Sequence, residues 1–233
     1  MRTMEEKAKA LSDIMHHMEP QHVFNLGPVS IDTTVVNQWI AMLILFGLIY
    51  WITRGLKSRP QGKKQVIAEF MVQFIQDLLE PALGKKGRKY IPLVGTLFLF
   101  ILTMNLLWFI PGLMPPTTDL STTFGLAITT IITINLIGVI NNGLKGYLHH
   151  FAQPFAALMP LNIVEEAVKP VSLSLRLFGN MFGEKVVVTI LFILLPVLIP
   201  VPVMLLGVLM GVIQAFVFTL LTVTYLTTSI KGH

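Results

Sequence analysis

Long apolar runs dominate the pattern of this sequence. A membrane-spanning helix needs about 20 predominantly apolar residues, and three runs of that length are present: Val35–Thr53, Tyr90–Ile110 and Leu120–Leu144. A fourth stretch, Val186–Ile230, has no charged residue but is too long for one span, and Pro196, Pro200 and Pro202 interrupt it. The pattern therefore predicts an all-α membrane protein with five transmembrane helices.

The last two predicted helices are longer than a bilayer is thick. Helical character extends from Ile163 to Leu195 and from Val201 to Lys231. Each helix would measure roughly 50 Å, against a hydrocarbon core of about 30 Å. Because excess length is accommodated by tilting or kinking, residues 163–231 are predicted to form a long, strongly tilted hairpin.

A shorter helix is predicted between the first two spans, over residues 63–80. Its apolar side chains recur at the i, i+3, i+4, i+7 spacing of one helix face: Val66, Ile67, Phe70, Met71, Phe74, Ile75, Leu78 and Leu79. Such a stripe can lie in the membrane interface or pack against a partner as a soluble helix. The flanking spans and basic residues favour the interface.

Basic residues concentrate in the connections that should face the cytoplasm. They follow the first span and precede the second: Arg54, Lys57, Arg59, Lys63, Lys64, Lys85, Lys86, Arg88 and Lys89. The positive-inside rule then places the N-terminus outside and the C-terminus in the cytoplasm. Residues 1–233 are interpreted as one polytopic membrane domain, with an external N-terminal tail over residues 1–32.

Composition agrees with a membrane protein and removes several function classes. Hydrophobic residues make up 54% of the chain and charged residues 12%, against about 25% charged in a typical soluble domain. The net charge is +5. The basic residues cluster in short connections between the apolar runs, so no nucleic-acid partner is expected. There is no cysteine. His16, His17 and His22 are interpreted as solvated residues, and no metal site or cofactor is expected.

The helix that begins near Ile163 carries charges where lipid-facing residues would be apolar. They are Glu165, Glu166, Lys169, Arg176, Glu184 and Lys185. A charge inside a span costs about 2.5–3.5 kcal/mol on insertion scales and commonly marks an ion pathway or a substrate site. Glu165, Glu166 and Lys169 lie near the predicted cytoplasmic end and could equally be solvated, and a lone arginine could reach the interface with its charged end.

Arg176 is the residue of this helix with the strongest functional signal, because apolar residues surround it. At 100° per residue, Ser172 and Asn180 lie within about 40° of it, which predicts one polar stripe along the helix. On the last helix, Gln214 is the only amide or charged side chain before Lys231. We predict that Gln214 faces Arg176 across the hairpin.

Four segments resemble a known family. The sequence PLNIVEEAVKPVSLSLRLFGNMFGEK resembles subunit a of the F-type ATP synthase membrane sector, in which the essential arginine stands in an SLxLRLFGN context. The match places that arginine at Arg176 and the asparagine of the family at Asn180. QAFVFTLLTVTYL resembles its last helix and identifies Gln214, while NLLWFIPG and PPTTDLSTTFGLAI resemble earlier spans and contribute Asn105 and Asp119.

The resemblance implies a stator that packs against a rotating c-ring. Two offset half-channels would carry H⁺ or Na⁺ to and from the ring carboxylates, coupling ion flow to ATP synthesis, while other subunits perform the ATP chemistry. The implied partners are the c-ring, peripheral stalk subunit b, the other ATP synthase subunits and lipid. Without a signal or transit peptide at the N-terminus, a bacterial plasma membrane is expected. The implied ion-pathway residues are Arg176, Asn180, Gln214, Glu184, Lys185, Glu165, Glu166, Ser172, Asn105 and Asp119.

The sequence departs from the family pattern at one place. Family members commonly have an acidic residue nine positions after the arginine, whereas here Glu184 comes at eight and Lys185 at nine. An often ionisable position on the last helix is Gly207. Because adjacent helical residues point about 100° apart, we predict that Glu184 lines the outer half-channel and Lys185 turns towards the space at Gly207. Alternatively, both residues lie in water at the outer end of the helix.

Two other classes of protein are compatible with parts of this pattern. A secondary transporter or channel component could use Arg176 as an anion-binding residue, although such folds often contain inverted repeats and none is visible here. A structural membrane scaffold would leave the charged stripe unexplained. Co-purification with a c-ring separates the three classes.

Overall fold

The computed structural model describes residues 22–26, 29–54, 62–110, 113–151, 159–194 and 200–231. Most of the predicted N-terminal tail, including His16 and His17, lies outside the described residues, as does the connection that contains Pro196. Six helices and two strands are defined: β1 His22–Leu26, β2 Val29–Asp32, α1 Thr33–Thr53, α2 Lys63–Leu83, α3 Ile91–Leu106, α4 Leu120–Phe151, α5 Met159–Leu194 and α6 Pro200–Lys231.

The predicted helices are confirmed within a few residues at most of their ends. The second predicted span is the main exception, because its α-helical part, α3, lies between two 3-10 segments, Gly84–Tyr90 and Leu107–Phe109. The third continues to Phe151, with a kink at Gly143, whose φ of 73° favours glycine. Helix boundaries in charge-free runs are poorly marked, since apolar residues on both sides give no stop signal.

The strand hairpin was not predicted, and it adds a two-stranded sheet to an otherwise helical fold. β1 and β2 pair antiparallel, with His22 opposite Asp32 and Leu26 opposite Val29. Val23, Phe24, Val29 and Ile31 supply the β-branched and aromatic residues that strands favour. The hairpin leads directly into α1, so part of the predicted tail is ordered chain.

Four helical stretches are long and apolar enough to cross a membrane: Thr33–Thr53, Lys63–Phe109, Leu120–Gly143 and Pro202–Ile230. Helix α5 is not among them. It has the length, but it carries six charged side chains. The fold is therefore that of a largely helical membrane protein, in which α5 is the polar exception.

The core lies where α3, α4, α5 and α6 meet. Helix α6 packs against the other three, and α5 packs closely against α4. Fully buried apolar side chains come from each helix and include Ile101 of α3, Ala127 of α4, Leu177 of α5 and Phe218 of α6. This packing holds α5 against its neighbours and so fixes which of its faces is covered.

Only half of the apolar stripe of helix α2 packs against other helices of the chain. Ile75 and Leu79 are buried, and the Phe74 ring lies 5.4 Å from Phe98 of α3 and 6.0 Å from Phe216 of α6. The N-terminal half of the stripe, Val66, Ile67 and Phe70, is exposed. One end of α2 is thus packed on α3 and α6, while the other presents apolar side chains outwards.

Candidate functional site

Arg176 lies on an exposed face of α5. Ser172 and Leu175 are exposed beside it, and we call these three residues the Arg176 face. Within the part of the chain that the structure describes, the Arg176 guanidinium has no hydrogen bond or ion pair. Helix α6 also exposes apolar side chains at helical spacing: Leu206, Leu209 and Ile213.

The next polar residue along α5 turns into the interface with α6. Asn180 donates a hydrogen bond from Nδ2 to Oε1 of Gln214, with a donor–acceptor distance of 2.6 Å. Gln214 is only 3% exposed, and its Nε2 is a buried donor with no partner among the described residues. Gln214 therefore faces α5, as predicted, but its hydrogen bond goes to the residue one turn beyond Arg176.

Glu184, and not Lys185, lies directly over Gly207. The Glu184 carboxyl group occupies the space directly over Gly207, where any larger residue would collide with it. Lys185 is almost fully buried and interacts electrostatically with Asp119. The group directly over Gly207 is therefore that of Glu184, while Lys185 lines the same small cavity as Gly207. The rotation of α5 against α6, which sequence phase alone does not give, decides which neighbour reaches Gly207.

A small cavity lies at this point. It has room for about one water molecule and is lined by Asn105, Trp108, Pro115, Met181, Glu184, Lys185, Gly207 and Val208. We call it the Glu184 cavity. Glu184 and Lys185 both line it, together with residues of α3, α6 and the connection before α4.

Trp108 is a lining residue that sequence reasoning missed. Its Nε1 is a buried donor with no hydrogen-bond partner among the described residues. A signal was available, because Trp108 follows Asn105 by three positions, the spacing that puts two residues on one helix face. The same cavity therefore holds a polar group from a span without charges.

Asn105 connects three parts of the chain through its amide group. Nδ2 donates to the backbone carbonyl of Gly211 at 2.9 Å, and Oδ1 accepts from the Thr117 hydroxyl at 2.8 Å. There is little room for a side chain at Gly211, because a Cβ there would lie 3.1 Å from the Asn105 Cβ. Asn105 thus joins α3, the 3-10 segment Pro116–Thr118 and α6 at the wall of the cavity.

Asp119 has a local role at the start of α4. Its carboxylate accepts hydrogen bonds from the Ser121 backbone N–H at 3.4 Å and from the Thr122 hydroxyl at 3.3 Å, as residues before a helix commonly do. It also accepts one from the Ser121 hydroxyl. With its electrostatic interaction with Lys185, Asp119 links the beginning of α4 to α5.

The remaining predicted residues lie towards the other end of α5. Glu165 is exposed, whereas Glu166 forms an ion pair of 2.7 Å with Lys169. The Lys169 ammonium also lies 5.3 Å from the centre of the Tyr225 ring of α6. Glu166 and Lys169 thus interact with each other and with α6, and the structure does not bring them to Arg176.

Among the described residues, no group of three or more His, Asp or Glu side chains is placed to hold a metal ion. What this part of the chain offers instead is a set of proton-exchanging and hydrogen-bonding groups along one helix, with one permanently charged guanidinium among them. That set suits ion transfer better than covalent chemistry.

The sequence profile of the family described as ATP synthase A chain matches residues 35–227. ATP synthase subunit a of Moorella thermoacetica is 57% identical, covering 94% of this chain and all of the relative. ATP synthase subunit a 1 of Crocosphaera subtropica is 37% identical over 87% of this chain and 89% of its own, and ATP synthase subunit a of Geobacter sulfurreducens is 39% identical over 92% and 93%. The chain therefore belongs to the ATP synthase A chain family, the ion-translocating stator subunit of the F-type ATP synthase.

Proposed function

We propose that the Arg176 face meets the carboxylates of a rotating c-ring and that the Glu184 cavity belongs to the half-channel leading to the outside. In this proposal the chain has five transmembrane helices, α1, α3, α4, α5 and α6, with α2 in the membrane interface and the α5–α6 hairpin strongly tilted. The secondary-transporter alternative is not favoured, since the chain belongs to the stator family.

The observation that carries the proposal is the exposure of Arg176, which has no counter-charge among the residues that the structure describes. Arginine stays protonated in proteins, and an uncompensated charge beside lipid is costly. An exposed guanidinium without a partner in the described chain is therefore satisfied, in this proposal, by a negative group of another subunit. A carboxylate of a c-ring subunit is a group of the required charge and bidentate geometry.

The electrostatic attraction at this contact would control the protonation of the ring carboxylate. A carboxylate about 4 Å from a guanidinium is favoured in its charged form by about 4 kcal/mol at an effective dielectric constant of 20. A ring carboxylate that arrives protonated would therefore release its proton near Arg176. Because Arg176 cannot itself give up a proton, it would also block direct proton passage between the two half-channels.

The two ends of α5 supply the two half-channels in this account. Along the helix, Glu184 lies about 12 Å from Arg176 in one direction and Glu165 about 16 Å in the other. The Asn180–Gln214 hydrogen bond lies between Arg176 and Glu184 and holds α5 against α6 there. We assign Glu184, Lys185, Asn105 and Asp119 to the outer path, and Ser172, Glu165 and Glu166 to the cytoplasmic one.

We further propose a bacterial plasma membrane location, with the N-terminus outside and the C-terminus in the cytoplasm. The basic residues between α1 and α3, such as Arg54 and Arg88, support this orientation through the positive-inside rule. The proposed partners are the c-ring, peripheral stalk subunit b and the other ATP synthase subunits, and the transported ion is H⁺ or Na⁺.

The test is an Arg176→Ala variant of the assembled ATP synthase in inverted membrane vesicles. We expect ATP-driven proton or Na⁺ uptake to be lost while the complex stays assembled, because an exposed side chain without internal partners is removed. Leu43→Ala, which truncates an exposed apolar side chain of α1, is the control and should retain uptake. Coupled uptake by an assembled Arg176→Ala complex at more than a small fraction of the unmutated rate would contradict the proposal.

A further inference from the structure

Two residues that line the same cavity each have a buried polar atom, and the two atoms are of opposite hydrogen-bonding character. Trp108 Nε1 and Glu184 Oε1 are both shielded from solvent, and neither has a hydrogen-bond partner among the described residues. Trp108 stands in the 3-10 segment that follows α3, and Glu184 stands in α5. Both residues line the Glu184 cavity, and Gly207, which has no side chain, leaves room there for the Glu184 carboxyl group.

The chemistry of these two groups defines what fits between them. The indole N–H only donates, and a carboxylate oxygen only accepts. Buried polar groups without partners are rare in native proteins, and ordered water commonly supplies the missing hydrogen bonds. A water molecule accepts from one group and donates to the other, and the cavity has the size of about one water.

We propose that Trp108 holds a water molecule against the Glu184 carboxylate, and that this water delivers protons to Glu184. This inference rests on the proposed place of Glu184 in the outer half-channel. Trp108 acts as a positioning residue, because its N–H occupies one lone pair of the water and turns one O–H of the water towards Glu184.

The transfer balances as two coupled proton movements. The water takes up a proton from the outer side on its remaining lone pair, and one of its original protons passes to the Glu184 carboxylate. The water is neutral before and after the step, and the Trp108 N–H bond stays intact. Trp108 therefore serves orientation and does not itself exchange a proton.

The first experiment uses vesicles that carry Trp108→Phe, which keeps an aromatic ring but removes the N–H. Two rates are measured: proton transfer driven by a proton gradient without ATP, and proton uptake driven by ATP. We expect both rates to fall roughly fivefold to tenfold, the effect of losing one hydrogen bond at the relay. Trp108→Tyr, whose hydroxyl can donate to a water, should recover part of the loss. Trp39→Phe is the matched control, since Trp39 is exposed, and it should not change the rates.

The second measurement reads the hydrogen bond itself. Ultraviolet resonance Raman spectra contain an indole band whose frequency reports hydrogen bonding of the ring N–H. The difference between the spectra of the unmutated and Trp108→Phe complexes isolates Trp108, and Trp108→Tyr provides the same difference if the phenylalanine variant does not assemble. A hydrogen-bonded N–H is expected. A free N–H, or unchanged rates in Trp108→Phe, would overturn the inference.

The two proposals can fail separately. If Glu184→Gln vesicles transport at the unmutated rate, Glu184 is not in the path, and the relay falls with it even where the Raman band reports a bound water. If Glu184→Gln slows transport but the Trp108 N–H is free, the path stands and only the water relay is refuted.

Discussion

The Arg176 face and the Glu184 cavity lie on one helix, about 12 Å apart, and differ in how the chain surrounds them. Arg176 is exposed and has no internal partner in the described chain, whereas Glu184 is half-buried beside residues of α3, α6 and the segment before α4. A carboxyl group can exchange its proton and a guanidinium cannot. The chain therefore half-buries the group that can change its charge and leaves the permanent charge exposed.

The hydrogen bond between Asn180 and Gln214 marks the change from one environment to the other. Before this hydrogen bond along α5, Ser172 and Arg176 are exposed. After it, Lys185 is buried, with 6% of its surface exposed. The comparison implies that substitutions in the cavity can alter ion transfer through packing, while substitutions on the Arg176 face act through the partner.

Glu184→Gln should produce the largest effect among the cavity substitutions. It keeps the shape of the side chain but removes the group that takes up and releases a proton, so ATP-driven uptake should fall by at least about tenfold. Uptake by inverted vesicles across a range of pH is the measurement, and Glu80→Gln on the exposed surface of α2 is the control. Equal rates in the Glu184→Gln and unmutated vesicles would remove Glu184 from the path.

Gly207→Ala should have a smaller, purely positional effect. The new methyl group would displace the Glu184 carboxyl group, the free end of a flexible side chain, so the fold should survive while uptake falls about fivefold. Gly125→Ala on α4 is the control, because a methyl group there meets nothing within 4 Å and should leave uptake unchanged. Uptake and thermal unfolding are measured for both assembled complexes. Equal uptake by the two variants would contradict this account.

Lys169→Ala should have the smallest effect. The Glu166–Lys169 pair lies on one helix with both side chains partly solvent-accessible, and such pairs contribute less than about 1 kcal/mol. The melting temperature should hardly change, and uptake should stay close to the unmutated rate. A large loss of uptake in this variant would place Lys169 in the cytoplasmic path and would make that end of α5 as important as the Glu184 cavity.

Much of the fold could be predicted because lipid imposes simple rules. Charge-free runs such as Leu120–Leu144 and the proline-interrupted stretch after Val186 identified α4 and α6 without any knowledge of packing. Gln214 was predicted to face Arg176, whereas its hydrogen bond joins it to Asn180, one turn further along α5. Each of the helix predictions rests on the sequence of that helix alone.

What could not be predicted depends on the relation between two or more elements. Which of Glu184 and Lys185 reaches Gly207 depends on the rotation of α5 against α6, and helical phase gives only their angle to each other. Trp108 became visible as a cavity residue only when the 3-10 segment after α3 was packed on α5. The strand hairpin was missed because its two short strands were read as part of a polar tail.

The most direct test of the central claim is a cross-linking comparison of Ser172 and Ser174, since the chain has no cysteine of its own. Ser172 lies on the Arg176 face, whereas Ser174 is fully buried and its hydroxyl lies 3.0 Å from that of Thr123. In complexes whose c subunits carry a cysteine beside the ring carboxylate, Ser172→Cys should form a disulfide with the ring and Ser174→Cys should not. Cross-linking at 174 but not at 172 would contradict the claim that the Arg176 face meets the ring.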